Sequence, residues 1–196
     1  MKQSSEPSVV SVQFWARNRS LSERAGLLAV GVLVLAGTSR VSIPVGPVPV
    51  TMQTLAVVLI GAVYGWRLGG ACVAAWLVAG ACGLPVFSEA SAGIHKFVGP
   101  TAGYLFAFPI AAMAVGRLME RGWDGGRLPR LLVLMLFGHA ICLAVGASWL
   151  ARSTGWDGAW IKGVEPFLVG GALKSVLGAL LLALLSAYRR MADTRS

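Results

Sequence analysis

Six apolar runs, at about 21–39, 50–66, 68–87, 99–119, 131–151 and 166–188, take up most of the chain and leave only short connections between them. A helix rises about 1.5 Å per residue, so about 20 apolar residues cross the roughly 30 Å of hydrocarbon in a bilayer. Runs of this kind constrain the fold to an all-α integral membrane bundle. Composition agrees, since the 196 residues are 56% hydrophobic and only 13% charged, with a mean hydropathy of +0.72. Soluble domains are usually about one-quarter charged. The connections, such as "SRVSIPVGPVP", "GLPVFSEASAGIHKF" and "STGWDGAWIKG", are rich in Pro and Gly, as turns are. The expected organisation is a polar tail at 1–20, a six-helix transmembrane domain at 21–190 and a short tail at 191–196.

A net charge of +9 would point to nucleic acid in a soluble protein. Here the basic residues follow the connections instead, and nucleic acid is not an expected partner. With a cytoplasmic amino terminus, the inner side holds 12 of the 17 Lys and Arg residues, among them Arg17, Arg19, Arg24, Arg67, Arg117, Arg121, Arg127 and Arg130. That asymmetry is the positive-inside pattern, with both termini cytoplasmic and six crossings of the cytoplasmic (inner) membrane. The segment "RNRSLSERAGLLAVGVLVLAGTS" also has the basic start, short apolar run and small residues of a signal peptide. Charge does not separate retention from cleavage, because the next loop faces outward in both cases. Cys72, Cys82 and Cys142 sit in apolar runs with neither metal nor disulfide spacing, and read as small packing residues.

Lys174 is the anomaly. It lies near the start of a very apolar run, where a charge costs roughly 2.5–3.5 kcal/mol on insertion scales. Fourteen residues separate it from Tyr188 at the cytoplasmic end, which places it roughly 10 Å below the outer surface. Two readings stand: a snorkelling or ion-paired lysine, or an ammonium lining an outward-facing polar cavity. "GGALKS" is not a nucleotide loop, since Leu173 precedes the lysine, so any ATP is hydrolysed elsewhere. Ser148 and His139 are nine residues apart on one helix, about 13 Å axially, too far to act as nucleophile and base. They read as a backbone-bonded hydroxyl and a packing histidine.

Two other segments bring polar groups to the depth of Lys174. In "SIPVGPVPVTMQTL", Pro44, Pro47 and Pro49 stiffen an extended stretch, and Thr51 and Gln53 follow at a helix entrance. They either cap the helix or point into the cavity. In "HKFVGPTAGYLFAF", Gly99 and Pro100 make a break before Thr101 and Tyr104. Tyr104 is either an interfacial anchor or a cavity group. Three segments converging at one depth point to a pocket.

Those stretches, "IPVGPVPVTMQTLAVVLIGAVYGWRLG", "GLPVF", "GPTAGYL" and "PFLVGGALK", resemble the BioY family of biotin-binding S components of energy-coupling-factor transporters, over about 25–188. The resemblance implies an S-component-like bundle with an outward pocket and no enzymatic activity. It implies Thr51, Gln53, Thr101, Tyr104 and Lys174 as ligand-lining residues, with Lys96 of the outer loop added to them. No cofactor is implied. The expected partners are biotin, a transmembrane scaffold protein and a pair of ATPases, although some members are thought to act without dedicated partners. The segment includes the first helix, which weighs against cleavage there, and Ala25, Ala29, Ala36 and Gly37 on it form a small-residue face for scaffold docking or internal packing.

There is one departure. The family commonly has an aspartate three residues before the lysine, where this chain has Gly171. Either Glu165 or Glu89 supplies the carboxylate, or affinity or ligand choice has shifted. A different vitamin is therefore one rival reading, and an intramembrane enzyme using Ser148 or His139 is the other.

Overall fold

The computed structural model describes residues 20–123 and 127–193, so most of the predicted tail at 1–20 and half of that at 191–196 lie outside the described residues. Ser20 opens α1 (Leu21–Arg40) with a reciprocal cap. Its hydroxyl accepts from Glu23 N at 3.3 Å while the Glu23 carboxylate accepts from Ser20 N at 2.9 Å. Two of the orphan amides of a helix start are thereby met. One stripe of α1 is buried: Gly31, Leu35 and Ser39, spaced four apart. Ala25, Ala29 and Gly37 are exposed and Ala36 half-buried, so the small-residue face is not the packing face.

The proline-rich connection forms two short strands, β1 (Ser42–Ile43) and β2 (Val50–Thr51), paired antiparallel with Ser42 opposite Thr51. The rest of the regular structure is helical, as expected. Next comes α2 (Gln53–Ala81), which contains one residue with non-helical angles, Gly65 at φ 79° and ψ 174°. A Cβ added at Gly69 would lie 3.0 Å from the Gly61 Cα, so the chain doubles back at Gly65 into two antiparallel arms. Two of the predicted apolar runs thus become one hinged element. The second arm ends at Ala81, short of residue 87, because Gly83 (φ 101°) and Pro85 stop it.

Gly65 occupies backbone space essentially reserved for glycine, at about 1–3 kcal/mol for other residues. Its added Cβ would also stand 2.6 Å from Glu120 Oε1. Gly65→Ala is expected to lower the thermal unfolding temperature of the purified protein in detergent. An unchanged midpoint would show that the reversal does not require glycine.

Two 3₁₀ turns, Ser88–Ala90 and Ile94–Phe97, occupy the connection to α3 (Ala102–Glu120). Then α4 (Leu128–Ala159) begins with Pro129 in its first turn, where a missing amide costs nothing. It breaks at Gly155 (φ 72°, ψ 170°) and continues through a π turn, Trp160–Val164, into α5 (Glu165–Asp193). The connection expected at 153–163 is therefore largely helical, and the last helix overruns residue 190.

Among the described residues, five helices are long and apolar enough to cross a membrane. Their outward faces carry Leu33, Val34, Leu136, Leu173, Leu180 and Leu184, an apolar exterior suited to hydrocarbon rather than water. The interior holds two clusters. One joins Leu35, Val57, Trp76, Phe87, Phe108 and Phe167, and the other joins Val58, Val115, Leu131, Met135 and Leu182.

Candidate binding site

The first cluster surrounds a cavity roofed by the 82–101 connection. Trp76 pins that connection, donating Nε1–H to Val86 O at 3.1 Å and meeting the Phe87 ring edge-on at 5.2 Å. Arg40, at the end of α1, donates to Pro85 O at 2.8 Å. The start of α3 is fixed in the same way, since Trp149 Nε1–H donates to Gly99 O at 3.1 Å. Gly103 lets α3 approach that indole, because an added Cβ would lie 2.9 Å from Trp149 Cγ.

The cavity holds about 710 Å³ of space free of protein atoms, its mouth included. All six predicted residues line it: Thr51, Gln53, Lys96, Thr101, Tyr104 and Lys174. They come from the β2–α2 junction, the 82–101 connection, the α3 entrance and α5.

Lys174 is 7% exposed, which excludes a snorkelling lysine. Its ammonium donates to Thr51 O at 3.0 Å and to Thr54 Oγ1 at 2.8 Å. An ammonium has three protons, so one remains for a ligand. Thr51 and Gln53 both line the cavity, and Thr51 alone also meets an amide at the helix start. Thr51 Oγ1 accepts from Gln53 N at 3.3 Å and donates to Gln53 Oε1 at 2.8 Å. The Gln53 carboxamide in turn donates to Ser39 Oγ at 2.9 Å, linking the cavity wall to α1. Tyr104 is a wall rather than an interfacial anchor. It is buried, stacks on Phe167 at 6.0 Å between centroids, and donates to Gly163 O at 2.6 Å.

Neither carboxylate proposed to replace the missing aspartate reaches Lys174. Glu89 and Glu165 are exposed and line no part of the cavity. Glu165 sits in the first turn of α5, nine residues before the lysine, and Glu89 lies in a 3₁₀ turn. Gly171 does line the cavity, and an added Cβ there would meet nothing within 4 Å. Ser148 is exposed and back-bonded to Ala144 O at 2.7 Å, as expected. His139 departs from expectation, because it lines the cavity as well as packing between helices.

Sequence reasoning missed Thr54, Phe87, Phe108 and Phe167. Only Thr54 carried a signal, a further hydroxyl at the same helix entrance as Thr51 and Gln53. The aromatic residues come from separate elements and assemble only through tertiary packing. Together they offer an apolar sleeve with polar groups at Lys174 and Gln53 and at the Lys96 mouth. Such a hollow suits a small molecule with an apolar body and polar ends.

Fold and site together define a multi-pass membrane protein with a small-molecule cavity between its helices and a connecting loop. The chain belongs to the BioY family, whose sequence model matches residues 10–191. It is 34% identical over 160 residues to the probable biotin transporter BioY of Pyrococcus horikoshii, covering 82% of this chain and 94% of that protein. It is also 34% identical over 155 residues to biotin transporter BioY2 of Lactococcus lactis, covering 77% and 83%. Among solved structures, the S component for biotin from an ECF-type ABC transporter superposes with a TM-score of 0.73 at 24% identity. That superposition covers 85% of this chain and 94% of the other. The family and these relatives are transporters.

Proposed function

We propose that this chain is the biotin-binding S component of an energy-coupling-factor uptake system in the cytoplasmic membrane. The observation that supports it most is a single cavity lined by six residues from four separated parts of the chain, with a lysine proton to spare at its inner end. The names of the relatives point to the same ligand. In this reading the ureido ring of biotin lies deep, with its carbonyl accepting from Lys174. The fused ring and aliphatic tail pack against Phe87, Phe108, Phe167 and Tyr104, and the carboxylate meets Lys96 near the mouth.

The two arms of α2 would each cross the membrane, making six crossings with both termini cytoplasmic, as the positive-inside pattern asks. The 82–101 roof then faces outward. Release inside would be driven by ATP hydrolysis in a partner ATPase pair acting through a transmembrane scaffold. The exposed Ala25, Ala29 and Gly37 face of α1 is available to dock that scaffold.

The test is biotin binding by the purified protein, followed by uptake of labelled biotin in cells lacking their own transporter. Bound biotin should resist competition by other vitamins. Absence of binding, or displacement by an unrelated vitamin at equal concentration, defeats the assignment.

A further inference from the structure

The His139 ring carries a buried nitrogen that the fold leaves without any hydrogen-bond partner. Its side chain is 5% exposed, sits on α4 and lines the cavity alongside Cys142 and Leu143. Nδ1 lies 2.9 Å from Met135 O, a backbone carbonyl that only accepts. Nδ1 therefore carries the ring proton. The second neighbour agrees: Ser175 Oγ donates to Gly171 O at 2.7 Å and so presents lone pairs to Nδ1 at 3.1 Å. With the proton fixed on Nδ1, Nε2 is an acceptor. It is the only buried side-chain polar atom without a hydrogen-bond partner among the described residues. Buried acceptors are rarely left so in native proteins, and each such case calls for an explanation.

The anchored nitrogen is held at the contact between α4 and α5; the free one is shut off from solvent, on a ring that lines the cavity. Ser175, which holds the ring, is the chain neighbour of Lys174. The fold thus puts an acceptor-bearing ring, His139, and a donor, Lys174, on the wall of one cavity. A cyclic urea presents that complement, a carbonyl flanked by N–H groups. Resting on the biotin reading above, we infer that His139 is a ligand-contacting, specificity-determining residue whose Nε2 accepts a hydrogen bond from a ureido N–H. Gly171 supports this, because it brings no side chain into the open space beside the Ser175 anchor.

The chain has two histidines, so ¹⁵N labelling of the imidazoles reports His139 directly, with His95→Gln for assignment. On adding biotin to the labelled protein in detergent, the His139 Nε2 resonance should shift as its lone pair is engaged, with Nδ1 nearly unmoved. His139→Phe should weaken biotin binding about tenfold or more. A biotin analogue methylated on the ureido nitrogens should bind wild type and His139→Phe equally poorly. Bound biotin with an unmoved Nε2 resonance overturns the inference, even should the Phe variant fail to fold. So does wild-type affinity in a folded His139→Phe protein. Failure of the biotin reading is distinct, because there the wild type itself binds no biotin.

Discussion

Lys174→Met is expected to lower biotin affinity about a hundredfold while leaving a folded protein. Methionine matches the length of the lysine stem and suits the apolar surroundings, so packing is largely kept. What disappears is the charged donor. A hydrogen bond from a charged group typically contributes about 1.5–3 kcal/mol, a factor of roughly ten to a hundred in affinity. The upper end applies here because the ammonium is 7% exposed and little screened by water. A second loss adds to the first. The ammonium also ties α5 to the β2–α2 junction through Thr51 O and Thr54 Oγ1, so both acceptors lose a partner and the wall carrying Gln53 loosens. Lys96→Met, at the half-buried mouth, should cost far less. Calorimetric titration with biotin measures both, with size-exclusion profiles as the folding control. Wild-type affinity in a monodisperse Lys174→Met protein would remove the lysine from the site.

The contrast between those two lysines was partly legible in the sequence. An isolated lysine within an apolar run cannot be left unmatched, but desolvation alone left two readings open, a snorkelling or ion-paired lysine and one lining a polar cavity. Its partners were not legible. A backbone carbonyl such as Thr51 O has no sequence signature, and the two candidates for a compensating charge, Glu89 and Glu165, are left exposed by the fold. The apolar runs announce a helical membrane bundle, but periodicity does not reveal that a single glycine at 65 joins two of them into one hinged element, leaving five long helices among the described residues. His139 was legible as a packing residue because one of its nitrogens does pack. The other acquires meaning only when α4 and α5 are brought together and Met135 O, with Ser175 beside it, sets the tautomer.

Gly116→Leu is expected to damage the fold itself, more than any cavity substitution. An added Cβ at Gly116 would stand 2.5 Å from Trp66 N, 2.6 Å from Gly65 C and 2.8 Å from Gly61 O. All three are backbone atoms of the α2 hinge, so no side chain can rotate away. Gly61 faces the same problem from the other side, with Ala112 Cα 2.7 Å from its added Cβ. The hinge and α3 therefore meet backbone to backbone, and one residue larger than glycine forces them apart. Overpacking a dense interior costs about 1–3 kcal/mol where side chains can yield; here the cost should reach or exceed the top of that range. Separation would also draw Glu120 away from Trp66 N, 3.3 Å from its carboxylate, releasing the start of the second α2 arm. The expected result is a thermal midpoint lower by several degrees and aggregation in detergent. Gly26→Ala is the control, since nothing lies within 4 Å of that position and alanine favours the helix. Equal stability of Gly116→Leu and Gly26→Ala would mean that the two helices are not in backbone contact, and the cavity wall built on that contact would lose its support.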